Sequence, residues 1–179
     1  MPEETTRQFR AVILMGVSGS GKTTVGQLLA AQLDWDYIEG DDHHPPENVH
    51  KMANGIPLTD ADRQPWLEEL HGSLRAHAQA QRPVVLACSA LKQEYRQTIA
   101  GDLPDIHFIY LKGAYDLIAQ RLAQRPRHYM KAGMLAGQFE ALQEPADALT
   151  VDVSLSPQVI CRIIRAHLHR NYSENRALS

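Results

Sequence analysis

The sequence predicts one α/β domain, built on a five-stranded parallel sheet with helices on both faces. Three observations support this prediction. Short, continuous apolar runs alternate along the chain with segments whose apolar residues recur at helical spacing. The chain has 179 residues, a length typical of one domain, and its content of 44% hydrophobic and 22% charged residues is typical of soluble globular proteins. We expect a single domain over residues 1–179, with a folded core at about residues 9–170 and polar, loosely held ends.

The first elements are predicted as strand, helix and strand. Residues 11–15 are all apolar and end at Gly16, which indicates a strand buried on both faces. A helix follows, because apolar residues recur at helical spacing: Val25, Leu28, Leu29 and Leu33. Residues 35–38 form the second predicted strand, which Gly40 ends.

Two helices are predicted next, within an insert at about residues 43–81. The first covers residues 45–54, with prolines in its first turn, and Gly55 and Pro57 break it. Thr59 is the predicted N-cap of the second, because Asp60 and Asp62 favour the positive end of a helix dipole. One apolar face supports this helix: Trp66, Leu67, Leu70 and Leu74.

The second half continues the alternation. Strands are predicted at residues 84–88, 107–111 and 150–153. Helices are predicted over residues 92–100, from Leu117 to Pro126, within 134–143 and at the end of the chain. The last has an apolar inner face: Val159, Ile160, Ile163, Ile164 and Leu168. The polar, basic, glycine-containing stretch at about residues 125–137 is a candidate mobile lid.

Charge and composition exclude several classes of protein. The net charge is -3 with no basic block, so no nucleic-acid partner is expected. The acidic N-terminus is unlike a signal peptide, and no apolar run is long enough to cross a bilayer, so no membrane partner is expected. Cys88 and Cys161 could form a disulfide, but two buried thiols in a reducing compartment are the favoured interpretation. We expect a cytoplasmic monomer or small oligomer.

A phosphate-binding loop follows the first strand. Gly16 to Thr23 matches G-x-x-x-x-G-K-S/T, between a predicted strand and a predicted helix. Backbone N–H groups and the helix N-terminus would hold phosphate oxygens. Lys22 would neutralise the outer phosphates, and the Thr23 hydroxyl would bind Mg²⁺. The predicted nucleotide contacts are Gly16, Val17, Ser18, Gly19, Ser20, Gly21, Lys22, Thr23 and Thr24.

Other interpretations of this loop fit less well. A simple Gly/Ser-rich turn would not require the full motif in its strand-loop-helix context. The dinucleotide fingerprint fails, because Thr24 stands where its third glycine belongs. A GTPase switch is excluded, because neither N-K-x-D nor D-x-x-G occurs in the sequence. The loop therefore predicts nucleotide binding by a protein that is not a GTPase switch.

The second predicted strand ends in Glu39-Gly40-Asp41-Asp42, at the edge of the sheet where α/β proteins bind ligands. Phosphoryl transfer to a hydroxyl needs one carboxylate to take the proton and another to hold Mg²⁺ or its waters. We assign Asp41 to the first role and Glu39, with Thr23, to the second. The alternative is an acidic turn without a role in catalysis.

Further blocks run from this segment to Pro145. They are Glu39-Gly40-Asp41-Asp42-His43-His44-Pro45, Asn48, Lys51-Met52, Gly55-Ile56-Pro57-Leu58, Asp60, Asp62-Arg63, Pro65-Trp66-Leu67, Cys88-Ser89-Ala90-Leu91-Lys92, Tyr95-Arg96, Gln138-Phe139-Glu140 and Leu142-Gln143-Glu144-Pro145. Together with the loop at Gly16, these blocks resemble the signature of the gluconokinase family.

The resemblance implies a P-loop kinase fold similar to adenylate and shikimate kinases. It implies ATP and Mg²⁺ as cosubstrate and cofactor, and transfer of the γ-phosphate to the 6-hydroxyl of D-gluconate, giving 6-phospho-D-gluconate. It also implies a possible homodimer. A kinase for another small acceptor, such as shikimate or a nucleoside monophosphate, is the nearest alternative. An ATP-binding regulatory protein without turnover is the alternative from another class.

Several basic residues are candidates for binding an anionic acceptor or ATP. Lys92 and Arg96, four residues apart, could share one helix face and bind the acceptor carboxylate, or be ordinary surface cations. Arg63 could do the same or pair with an acidic neighbour. Arg121 and Arg125 could reach the transferring phosphate when the lid closes, with Arg125 acting in catalysis, or form a solvated helix face.

Histidines cluster near the acidic segment. His43 or His44 could contact acceptor hydroxyls, and we select His44 as a substrate-binding residue. A transition-metal site with His50 is disfavoured, because H-x-x-x-H spacing is absent and cysteine ligands are too few.

Overall fold

The computed structural model describes the backbone of residues 9–124 and 132–177. Five parallel strands form one sheet in the order β2-β3-β1-β4-β5. The strands are β1 (Ala11–Met15), β2 (Asp36–Glu39), β3 (Val84–Ala87), β4 (Ile106–Lys112) and β5 (Leu149–Asp152). The predicted five-stranded parallel sheet is confirmed.

Seven helices are described around the sheet within these ranges. They are α1 (Lys22–Leu33), α2 (Pro46–Ala53), α3 (Asp60–Gln79), α4 (Gln93–Ala100), α5 (Tyr115–Ala123), α6 (Ala132–Ala141) and α7 (Pro157–Ala177). A short 3₁₀ helix over Gly40–His43, which we call the acidic turn, joins β2 to α2. None of the helices described is long and apolar enough to cross a membrane.

The sheet separates two hydrophobic clusters. Successive side chains of a strand point to opposite faces, so Val12 and Leu14 of β1 pack with α1, α5 and α7, while Ile13 and Met15 pack with α3 and α4. All are fully buried. Truncating one of them to alanine costs about 2–5 kcal/mol, because the cavity collapses only in part. Cys161 lies in the first cluster and Cys88 in the second, and both are free thiols.

Several element boundaries differ from the sequence prediction, including those of β2, α4 and α7. β2 starts one residue later, because Asp34 adopts a left-handed conformation (φ 54°) and the Trp35 N–H bonds back to the Ala30 carbonyl, ending α1 there. α4 starts at Gln93, since Lys92 is an extended N-cap. α7 continues to Ala177, so the expectation of a loose end from residue 171 is wrong through that position.

The N-terminus of α3 is fixed next to the acidic turn. Thr59 caps it as predicted: its hydroxyl accepts from the Asp62 N–H at 3.1 Å, and the Asp62 carboxylate accepts from the Thr59 N–H at 2.9 Å. One turn later, the buried Trp66 indole donates to the Gly40 carbonyl at 2.7 Å. A side chain on Gly40 would meet the Ala87 carbonyl at 2.6 Å, so glycine lets this turn lie against β3. The fold thereby holds the acidic turn in place.

Candidate active site

The phosphate-binding loop predicted from the sequence joins β1 to α1. Gly16, Gly19 and Gly21 have φ values of 146°, 83° and 94°, which L-residues rarely adopt. Gly16 also lies close to β4, since a Cβ there would be 2.8 Å from the Leu111 carbonyl. α1 begins at Lys22 and directs its N-terminal N–H groups at the loop.

Two side chains contact this loop. The Lys22 ammonium donates to the carbonyls of Gly16 and Val17, each at 3.0 Å. The Gln138 amide of α6 bridges to Ser18: its Oε1 accepts from the Ser18 N–H at 2.7 Å, and its Nε2 donates to the Ser18 hydroxyl at 3.1 Å. The Ser18 N–H therefore bonds to an oxygen acceptor outside the loop.

Thr23 and Glu39 meet beside the loop. The Thr23 hydroxyl donates to Glu39 Oε2 at 2.7 Å, and the Tyr37 hydroxyl donates to the same oxygen at 2.7 Å. Burial, followed by the hydrogen bond to Glu39, raises the pKa of Tyr37 above its ordinary value of 10.0. Tyr37 therefore remains a donor, and it orients the Glu39 carboxylate toward Thr23.

Asp41 lies in the acidic turn, with its side chain exposed. The charge of Asp41 acts on the thiol of Cys88, which directly follows β3. Burial raises the pKa of this thiol to about 12, Lys22 opposes the rise, and the carboxylates of Asp41 and Glu39 add to it. Lys22, Glu39 and Asp41 are thus all within electrostatic reach of one buried atom. The fold brings together the three residues on which the predicted phosphoryl transfer depends.

Four side chains form what we call the carboxylate cluster: Asp60, Arg63, Lys92 and Tyr95. The Lys92 ammonium donates to both oxygens of Asp60, at 2.8 and 2.7 Å, and the Tyr95 hydroxyl donates to one of them. The nearest guanidinium nitrogen of Arg63 is 4.0 Å from that carboxylate. The hydrogen bonds from Lys92 and Tyr95 lower the pKa of Asp60. Two of the predicted acid-binding cations therefore surround a carboxylate of the protein itself.

Arg96 does not share a face with Lys92, so that expectation is wrong. Lys92 precedes α4, whereas Arg96 turns inward, is only 8% exposed, and donates to the carbonyls of Ala90 and Leu91 at 3.0 and 3.1 Å. The β3–α4 connection leaves these carbonyls without strand partners, and the guanidinium satisfies them. Contact between Arg96 and substrate stays a prediction.

His44 stacks on Trp66, with ring centroids 4.2 Å apart and an interplanar angle of 15°. Burial, followed by the charge of Arg63, lowers the pKa of His44 to about 4. The ring is therefore neutral at physiological pH. It lies directly after the acidic turn, where the backbone N–H of His44 bonds to the Asp41 carbonyl at 3.4 Å.

Comparison with known proteins agrees with this geometry. A family model described as an AAA domain matches residues 12–149. The thermoresistant gluconokinase of Escherichia coli (strain K12) is 44% identical over 153 residues, which cover 83% of this chain and 87% of that protein. A crystal structure of a gluconokinase from Sinorhizobium meliloti 1021 matches with a TM-score of 0.86 at 38% identity, covering 95% of this chain and 97% of that one.

The chain belongs to the gluconokinase family. The resemblance seen in the sequence is thus confirmed. A shikimate kinase from Aquifex aeolicus matches with a TM-score of 0.58 at 18% identity, covering 90% of this chain and 98% of that one. At that identity the match shows a shared fold and nothing about the acceptor.

Beside the loop of this gluconokinase-family chain lies a cleft. Its lining includes Gly21, Thr24, Arg121, Val153, Pro157 and Ile160. The Arg121 guanidinium donates to the Val153 carbonyl at 2.6 Å, so Arg121 is held against the cleft and is not on a solvated helix face. Arg125 and residues 125–131 of the predicted lid lie outside the described residues.

Sequence reasoning missed several residues of this site. Gln138 belonged to a family block, yet no local pattern indicates contact with a loop 120 residues away. Tyr37 was predicted only as a strand residue, although its position two residues before Glu39 places both side chains on one face. The cleft residues after β5 could have been inferred, because every strand of a parallel sheet ends at the same edge.

Proposed function

We propose that this protein is a gluconokinase that transfers the γ-phosphate of ATP to the 6-hydroxyl of D-gluconate. The products are 6-phospho-D-gluconate and ADP. The observation that carries the choice of acceptor is the carboxylate cluster, where Lys92 makes a two-pronged contact with Asp60 and Arg63 stands nearby. Donors that already hold one carboxylate are suited to an acid acceptor.

The ATP phosphates would lie in the loop between β1 and α1. The residues fit this group, because the Ser18 N–H already bonds to an oxygen and Lys22 has a flexible ammonium within the loop. The cleft beside Arg121 would take the adenosine, with Val153 and Ile160 as apolar contacts. Arg121 would also lie within reach of the phosphates, and we propose that Arg125 joins it.

A magnesium ion fits the pair of Thr23 and Glu39. A hydroxyl and a carboxylate 2.7 Å apart are oxygen donors of the kind that Mg²⁺ prefers. Among the described side chains, no group of three His, Cys, Asp or Glu residues could hold a metal by itself, which agrees with a magnesium ion that relies on phosphate oxygens and water. Bound by this pair, such an ion would neutralise negative charge on the phosphates during transfer.

The chemical step needs a base and a fixed acceptor. Asp41 takes the proton of the 6-hydroxyl while the hydroxyl oxygen forms a bond to the γ-phosphorus. The bond between the γ-phosphorus and the bridging oxygen breaks, and that oxygen leaves with ADP. Lys92 and Arg63 hold the carboxylate at the other end of the acceptor, and His44 contacts its hydroxyls. Arg96 supports this site from beneath, through the carbonyls of Ala90 and Leu91. Positioning and charge stabilisation supply most of the rate.

A coupled assay for ADP release tests this proposal. Purified protein with magnesium and ATP is offered D-gluconate, shikimate, a nucleoside monophosphate or a neutral hexose. We expect turnover with gluconate and little with the others. Lys22→Ala should lose most of this activity. Arg82→Ala should retain it, because Arg82 pairs with Asp36 at the opposite edge of the sheet. Preference for another acceptor would overturn the assignment, and ATP binding without turnover would indicate a regulatory protein.

We further propose a cytoplasmic location, which the two buried free thiols support. A homodimer stays a prediction. Light scattering coupled to size-exclusion chromatography measures the mass directly, against 20.0 kDa for the single chain.

A further inference from the structure

Asn48 of α2 is a buried polar residue to which the reaction assigns no role. Its side chain is only 3% exposed, and it lies between α3 and the ring of His44. Asn48 Nδ2 is 2.7 Å from the Asp62 carbonyl oxygen and 3.3 Å from His44 Nδ1. One amide group therefore contacts both a backbone acceptor and an imidazole nitrogen.

These contacts fix the orientation of the amide. The Asp62 carbonyl can only accept, so the Asn48 atom facing it must be the nitrogen; the reversed amide would place two oxygens 2.7 Å apart. An amide NH₂ has two hydrogens and accepts none. Its second hydrogen points at His44 Nδ1, which must then be an unprotonated acceptor.

The tautomer of His44 follows from this argument. A neutral imidazole carries one proton, and if Nδ1 accepts, the proton is on Nε2. Stacking on Trp66, whose own indole N–H is bonded to the Gly40 carbonyl, fixes the plane of the ring, and the contact with Asn48 shows that the Nδ1 edge faces α2. His44 is thereby held as a donor at the ring edge away from Asn48.

Several neighbouring groups disfavour the doubly protonated, positively charged form of His44. An Nδ1–H would face the Asn48 amide hydrogens, and burial together with Arg63 lowers the pKa of His44 to about 4. The Asp62 carboxylate does not compensate, because it accepts hydrogen bonds from Lys51 and from the Thr59 N–H. The ring is therefore a neutral donor over the whole physiological range.

We propose that Asn48 is a positioning residue that fixes His44 in its Nε2–H tautomer, so that His44 donates a hydrogen bond to a hydroxyl of the acceptor. This inference rests on the proposed function and deepens it. A polyhydroxy acid offers hydroxyl oxygens along its chain as acceptors. A neutral donor binds such an oxygen without a second positive charge beside the cations that hold the carboxylate.

The tautomer is measured first, without turnover. Nitrogen-15 NMR of histidine-labelled protein distinguishes an imidazole protonated at Nε2 from one protonated at Nδ1, and His44→Gln assigns the signal. We expect Nε2–H for His44 in the wild-type protein near about pH 8, well above its pKa. In Asn48→Asp, a carboxylate replaces the donor and accepts from Nδ1–H, so the signal should change to Nδ1–H. A wild-type ring protonated at Nδ1 overturns the proposal.

Steady-state kinetics at the same pH test whether the tautomer of His44 affects gluconate binding. Asn48→Asp should raise the KM for gluconate about tenfold, the loss expected for one buried hydrogen bond, and leave the KM for ATP within about twofold. Asn54→Asp is the matched control: Asn54, the exposed C-cap of α2, forms the same kind of pair with His50, at 3.4 Å. It introduces the same charge and should leave both constants unchanged.

Two further kinetic results would overturn the role of Asn48. Asn48→Ala removes the amide without adding charge, so an unchanged gluconate KM in this variant overturns the role of the tautomer, whatever Asn48→Asp does. A parallel rise of both constants in Asn48→Asp also overturns it, because that indicates general damage. If wild-type protein does not phosphorylate gluconate, the proposed function fails, while the NMR result on Asn48 and His44 stands by itself.

Discussion

Two carboxylates two residues apart, Glu39 and Asp41, have different surroundings. Glu39 is half-buried at the end of β2, and one of its oxygens accepts hydrogen bonds from both Thr23 and Tyr37. Asp41 is exposed in the acidic turn. A carboxylate held by fixed donors suits a metal site, and an exposed one can approach a hydroxyl and take its proton. Their environments support the division of roles proposed above.

The role of Asp41 can be tested with its neighbour as control. Asp41→Asn should lower kcat about 10²–10⁴-fold and change the dissociation constant of ATP little, since an amide cannot accept the proton. Asp42→Asn changes the next carboxylate of the same turn and should retain most of the activity. Single-turnover rates and ATP titrations of both variants give the comparison. Equal losses in rate and ATP affinity for Asp41→Asn would argue against a base.

The lowered pKa of His44 predicts a loss of stability in acid. In the unfolded chain the pKa of His44 has its ordinary value of 6.5. In the folded protein the pKa of His44 is lowered to about 4. Between these values the unfolded state holds the extra proton, so the free energy of unfolding falls as pH falls from 6.5 to about 4. His44→Gln should lose less stability over this window.

Urea unfolding near about pH 7 and about pH 4.5 measures that difference for each variant. His50→Gln, a substitution of an exposed histidine in α2, should behave like the wild-type protein. If the free energy of unfolding of His44→Gln falls as much as that of wild type between these two pH values, protonation of His44 does not cause the loss of stability in acid.

At the scale of elements, α6 is connected to both sides of the site. Gln138 contacts Ser18 in the phosphate-binding loop. Shortly after the helix, the Gln143 side chain accepts from the Gln93 N–H at 2.7 Å, and its backbone N–H donates to the Leu91 carbonyl at 2.9 Å. The segment after the predicted lid is therefore attached to the loop at one point and to the β3–α4 connection at another.

Gln138 predicts a charge effect on ATP binding. Gln138→Glu places a carboxylate where the Ser18 N–H meets its partner, and phosphate oxygens would approach it closely. Repulsion between unit charges at this range is several kcal/mol at an effective dielectric of about 20, so the dissociation constant of ATP should rise at least about tenfold. Gln138→Ala, which adds no charge, should change it less than about threefold.

Calorimetric titration with ATP and magnesium measures these constants. Gln143→Glu is the control on the same segment, because Gln143 contacts Gln93 and not the loop. Unaltered ATP binding by Gln138→Glu would show that nucleotide phosphates do not come near this side chain.

The sequence predicted some elements more accurately than others. β1, the loop and α1 were predicted well, because a continuous apolar run, a full motif and helical spacing all agree there. The start of β2 was misplaced, since nothing local indicates that Asp34 takes a left-handed conformation. Arg96 was predicted to share a helix face with Lys92, because helical spacing cannot reveal that its guanidinium satisfies the Ala90 and Leu91 carbonyls. Contacts between distant segments, such as Gln138 with Ser18, have no local pattern.

At the scale of the whole molecule, the parallel sheet explains why these segments meet. All five strands run in the same direction, so the loop after β1, the acidic turn after β2 and the Lys92 and Tyr95 members of the carboxylate cluster, which follow β3, lie at one edge. The two hydrophobic clusters hold this edge from both faces. The reacting groups come from segments far apart in sequence, and the topology of the sheet brings them together.

Analysis of the reaction product decides whether this protein phosphorylates D-gluconate at its 6-hydroxyl. Purified protein is incubated with magnesium, ATP and D-gluconate, and the product is examined by phosphorus-31 NMR with correlation to its protons. We expect one new phosphate ester whose phosphorus couples to the protons on carbon 6, formed in equal amount to ADP. An ester at any other hydroxyl, or no phosphorylated gluconate at all, would contradict it.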